Sequence, residues 1–141
     1  MGILDVLVEK CPANGTPSEA RLLIAMTAFN DGSSTGAGDR TGDYNAVVQA
    51  IRRSNSADPA GILRVEGRVT RCQNAACSTE EQIVAPKDLG LSLAVGAAFT
   101  MRLIWDAPNN RFLAGVNANA NVALPYARRT TPSRRFSARR V

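Results

Sequence analysis

Apolar residues in this chain recur at every second position in short runs, and turn-forming residues end most runs early. A period of two belongs to strands that bury one face and leave the other wet. Over residues 63–71, Leu63, Val65 and Val69 fall on one face, and Arg64, Glu66, Arg68 and Thr70 on the other. Phe99, Met101, Leu103 and Trp105 alternate in the same way with Thr100, Arg102 and Asp106, with only Ile104 out of step. This predicts that Trp105 packs into a core. Beyond it, Asp106, Pro108, Asn109 and Asn110 are turn residues, and Phe112, Ala114 and Val116 resume the alternation. The stretch from Arg102 to Val116 therefore predicts a β-hairpin.

Further strands are expected at about residues 3–10, 19–30, 45–53, 82–85 and 122–126, joined by segments rich in Gly, Pro, Asn and Asp. Many short strands with such punctuation predict an all-β antiparallel sandwich or barrel. Residues 45–53 are ambiguous. Tyr44, Val47, Val48 and Ile51 have helical spacing, and Asp43 would serve as an N-cap, so strand and helix stand even there.

A chain of 141 residues fits a single domain with one core. Its net charge of +5 is unevenly placed. Arg128, Arg129, Arg134, Arg135, Arg139 and Arg140 lie at the C-terminal end, leaving residues 1–127 near neutral. We read residues 1–127 as a β-sandwich domain and 128–141 as an Arg-rich flexible tail. Such a tail is either a solvated end or a grip on nucleic acid or an acidic partner. No apolar run approaches the ~20 residues of a membrane-spanning helix, so no membrane span is expected. Nor does the N-terminal stretch read as a secretory signal.

The chain has no His, which excludes Ser-His-Asp and Cys-His catalysis and the common imidazole zinc sites. No pair of acids has the strand spacing of a glycosidase site, and the expectation is a protein that is not an enzyme. Cys72 and Cys77 are four residues apart in a C-x4-C arrangement that suits a disulfide across a hairpin, with two free thiols as the alternative. Cys11 is left over. Asp39 and Asp43 flank a Gly beside Asn45, an oxygen-rich loop that suits calcium or simply a turn. Asn117, Asn119 and Asn121 share one face if extended, where amides suit sugar hydroxyls; as a turn they need no ligand.

The runs "SNSADPAGILRVEGRVTRCQNAACS", "DLG", "VGAAFTMRLIWDAPNNRF" and "LPY", spanning roughly residues 44–126, resemble bacterial modules of the concanavalin A-like lectin/glucanase superfamily, which includes laminin G-like domains. Trp105, Asp106 and Phe112 stand where that superfamily places a Trp-Asp strand end and a returning aromatic. The resemblance implies a two-sheet jelly-roll β-sandwich, and with it a strand over residues 45–53. It also implies an exported or cell-surface setting. The catalytic Glu-x-Asp-x-Glu of the family's enzymes is missing, so it implies a non-catalytic member binding a glycan or a surface protein, sometimes with calcium. The expected ligand-binding residues are Asp106, Asn109, Asn110, Arg111, Asn117, Asn119 and Asn121, with Asp39 and Asp43 as metal ligands. Because Trp105 is predicted inward, Tyr44 and Tyr126 remain as the aromatic rings expected to face a sugar.

Overall fold

A computed structural model describes residues 18–127. The strand expected over residues 3–10, Cys11 and the arginine-rich end lie outside the described residues. The described chain is all-β, with two antiparallel sheets. The first holds β1 (Glu19–Asn30), β2 (Asp43–Arg53), β3 (Ile62–Cys72) and β4 (Glu80–Ala94), in the order β1-β2-β3-β4. The second holds β5 (Met101–Asp106), β6 (Arg111–Val116) and β7 (Val122–Pro125), in the order β5-β6-β7. One turn of 3-10 helix, Ala107–Asn109, closes the β5–β6 hairpin, and Asn110 takes the left-handed conformation after it.

The helix-like spacing in β2 has a simple origin. Tyr44, Ala46, Val48 and Ala50 point at the second sheet and are buried, while Val47 and Ile51 lie on the opposite face. Strands on both sides flank β2, so apolar side chains are sheltered on either face. β4 is far longer than the four residues expected. Its Pro86 and Gly90 read as breakers in sequence, yet β4 is an edge strand, where a missing ladder donor is tolerated. Irregular register against β3 between Arg64 and Thr70 takes up the misfit as bulges.

The core lies between the sheets. Leu63, Val65 and Val69 of β3 meet Phe112, Ala114 and Val116 of β6 and Leu124 of β7, with Tyr126 closing one end. The Tyr126 ring stands 5.2 Å from that of Tyr44 and 5.4 Å from that of Phe112, centroid to centroid. Burying side chains of this size stabilises by roughly 1.5–3 kcal/mol each, which makes this inter-sheet layer the main source of stability.

Candidate functional site

The structure separates the residues expected to bind a ligand. Asp106, Asn109, Asn110 and Arg111 sit at one end of β6, and Asn117, Asn119 and Asn121 at the other. The six-residue strand β6 runs from one to the other, about 17 Å, so the two turns do not form one site. Their polar groups are engaged in the turns themselves. Asp106 accepts from Nε of Arg111 at 2.7 Å and from Nδ2 of Asn109 at 2.9 Å. The Arg111 guanidinium, then the Asn109 amide, hold the Asp106 carboxyl below the usual carboxylate range. At the far turn, Asn117 has a positive φ and its Oδ1 accepts from the backbone N–H of Thr100. Arg102 donates to the carbonyl oxygens of Asn117 and Asn119 and to Oδ1 of Asn121.

The aromatic expectations are corrected. Tyr44 and Tyr126 are buried, at 1% and 5% exposure, whereas Trp105 is 39% exposed. Trp105 does lie on the core side, paired with Phe112, but β5 is the edge of a three-stranded sheet and leaves the side chain partly uncovered. Its Nε1 donates to the hydroxyl of Tyr126 at 2.8 Å, which fixes the ring plane.

In the β1–β2 connection, Asp39 accepts from the backbone N–H of Thr35 at 2.7 Å, from its hydroxyl at 3.0 Å and from the backbone N–H of Thr41 at 2.9 Å. Hydrogen bonds from Thr41 and Thr35 hold its carboxyl far below the usual range. Asp43 accepts from Nδ2 of Asn30 at 2.9 Å and lies 3.7 Å from Nε of Arg40. The two carboxylates thus serve different partners. Among the described residues they join no set of three Asp, Glu or Cys ligand atoms near enough to share an ion.

A concavity of about 320 Å³ opens instead on the outer face of the first sheet. Ala25 and Val47 contribute apolar surface, and Thr27, Asn45, Thr70, Arg40, Arg68 and Glu80 bring polar groups to it. The register creates it by setting Thr27 of β1 beside Asn45 of β2 and Asn45 beside Thr70 of β3. Asn45 is held on both sides. Its Oδ1 accepts from the Thr27 hydroxyl at 2.7 Å, and its Nδ2 donates to Oε1 of Glu80 at 2.9 Å. Arg68, exposed on β3, has no hydrogen bond or ion pair among the described residues. The alternation of β3 already put Arg68 and Thr70 on a polar face. Missing from the sequence was the register that lays Thr27, Asn45 and Arg40 next to them.

The Cys72–Cys77 disulfide is present, with a Cα–Cα distance of 4.8 Å. It does not cross the hairpin as expected. Cys72 pairs in register with Glu80, and Cys77 sits within the loop in a left-handed conformation. The bridge therefore straps the β3–β4 loop to the end of β3, at the border of the concavity.

No family model, no curated protein and no solved structure matches the chain. Its class rests on its own architecture: an all-β protein of two antiparallel sheets with a disulfide-strapped loop.

Proposed function

We propose that the protein is a non-catalytic β-sandwich binding module for a glycan or another cell-surface ligand, seated in the concavity of the first sheet rather than on the Asn-rich turns. The single observation that carries this is Arg68, a guanidinium without a hydrogen bond or ion pair among the described residues, which lines the same concavity as Arg40, Thr27, Val47 and Thr70. Concave sites of this size with a few convergent polar groups suit small ligands. Arg40 already lies beside Asp43, which leaves Arg68 as the guanidinium that would select negative charge, gripping a carboxylate or sulfate through parallel N–H donors. The class of ligand is accordingly an acidic saccharide or an acidic group on a surface protein. Placement in the concanavalin A-like superfamily belongs to the same proposal, supported by the two antiparallel sheets and the Trp105-Asp106 strand end. Its jelly-roll connectivity finds no support in the described strands, which follow two consecutive meanders, whereas a Greek key returns its fourth strand beside the first. An exported setting is supported by the disulfide.

The test is an array of neutral and acidic oligosaccharides at about 0.15 M salt, where surface charges are largely screened beyond ~8 Å. The array is read with the full chain, with Arg68→Ala and with a chain ended at Ala127. Acidic hits that weaken roughly tenfold or more in Arg68→Ala, as loss of a charge-assisted hydrogen bond implies, support the proposal. A blank array, or hits unchanged by Arg68→Ala, overturns it. Hits lost only on removal of residues 128–141 assign the binding to the arginine tail.

A further inference from the structure

The border of the concavity holds a second chemistry, independent of the binding proposal. Sγ of Cys72, Sγ of Cys77 and a carboxylate oxygen of Glu80 all lie within 4.8 Å of one another. Sγ of Cys77 is 3.6 Å from Oε1 of Glu80. Two ligands of a tetrahedral zinc ion, with Zn–S near 2.3 Å and Zn–O near 2.0 Å, stand about 3.5 Å apart. The carboxylate is already at ligand distance from the sulfur, although in the oxidised protein the two have nothing to share.

We propose that reduction of the Cys72–Cys77 bridge creates a site for a thiophilic divalent cation, zinc by preference, with Cys72, Cys77 and Glu80 as ligands. A dithiol reductant supplies two electrons and two protons, becoming a disulfide itself as the Cys72–Cys77 bond breaks to two thiols. The cation then displaces both thiol protons, forming two metal–sulfur bonds and one metal–oxygen bond, with water in the fourth position.

Three features support the geometry. The backbone already brings the two Cα atoms to 4.8 Å, so the sulfurs need only move apart around an ion. Asn45 fixes the surroundings, with Nδ2 lying 3.3 Å and 3.4 Å from the sulfurs and donating to Glu80. An amide that orients a ligand carboxylate typically affects metal affinity 10–100-fold. Finally, two thiolates and a carboxylate around a divalent ion leave one negative charge, and Arg40 lies along the same concavity to meet it. Reduction would thus trade one strap for another, holding the β3–β4 loop by a metal instead of a covalent bond.

The full-length protein, carrying Cys11→Ala so that the third cysteine contributes nothing, is titrated with cadmium before and after phosphine reduction under anaerobic conditions. The readout is the thiolate-to-cadmium charge-transfer absorption. We expect one cadmium per reduced chain with two protons released, none per oxidised chain, and displacement by zinc. Glu80→Gln should keep the absorption but weaken binding about tenfold or more. Should reduction loosen the chain, recovery of its circular dichroism on adding zinc supports the site equally. A reduced protein that takes up no more cadmium than the oxidised one, Glu80→Gln with unchanged affinity, or a loosened chain that zinc does not restore overturns the proposal.

Discussion

At the scale of single residues, Gly67 marks a close approach of the two sheets. A Cβ built there would lie 2.9 Å from Cδ1 of Leu124 and 3.2 Å from Cδ2 of Leu89, so β3 accepts no side chain at this point. The surrounding positions are fully buried and cannot retreat into solvent. Gly67→Ala should therefore destabilise through overpacking by about 1–3 kcal/mol. A lowered urea midpoint at constant denaturant slope would show it; an unchanged midpoint would mean that Leu124 moves aside freely. A glycine inside an alternating strand is a usual sign of close backbone approach, a signal that the reading of residues 63–71 passed over. The identity of its opposing residue leaves no sequence signal, because it depends on how β7 crosses β3.

At the scale of elements, the β2–β3 connection shows how polar side chains hold a turn that backbone pairing leaves open. Nη1 of Arg52, at 7% exposure, donates to the carbonyl oxygens of Asp58, Pro59 and Ile62. Asp58 in turn accepts from Nε of Arg64 at 2.8 Å and from the Ser56 hydroxyl at 2.9 Å. The Arg64 guanidinium, then Ser56, lower the Asp58 carboxyl from 3.8 to about 2. A carboxyl depressed on folding stabilises the native state above its unfolded value and loses that contribution as pH falls through its folded value. The window here runs from about pH 4 down to about pH 2. Asp58→Asn should unfold at lower urea than the native sequence at pH 6, with the two midpoints converging at pH 2. Parallel midpoints across that range would mean that the Arg64 pair contributes nothing.

The same scale shows what could and could not be read in advance. The hairpin of β5 and β6, and the spans of β1 and β3, were legible because one face of each strand is apolar; β2 stood even between strand and helix because it carries apolar residues on both faces. β4 was truncated because local composition registers Pro86 and Gly90 but not the edge position that tolerates them. Trp105 was assigned to the correct face, yet it is partly exposed, since alternation reports a side chain's direction and not the width of the sheet opposite. The concavity escaped for the related reason that Thr27, Asn45 and Thr70 are far apart in sequence and are joined only by register. The disulfide was found because its two cysteines are local.

At the scale of the molecule, the question is whether the two sheets unfold as one. Among the described residues no strand of one sheet pairs with a strand of the other, so side-chain contact and the β4–β5 connection couple them. That contact is continuous: Leu124 lies against Gly67 and Leu89 on the first sheet, and the Tyr126 ring stacks between Tyr44 of β2 and Phe112 of β6. Trp105 is the single tryptophan of the chain, and its hydrogen bond to Tyr126 ties its fluorescence to the smaller sheet and its seam. Far-UV circular dichroism, by contrast, is dominated by the longer strands β1–β4. If the seam makes one cooperative unit, urea transitions followed by the two signals should coincide. Leu124→Ala should then lower both by the same amount, about 2–5 kcal/mol for a fully buried leucine. A fluorescence transition that precedes the dichroism would show the β5–β7 sheet detaching first. The proposed binding face on β1–β3 would then be a surface that stands without its partner sheet, and Leu124→Ala would move the fluorescence midpoint alone.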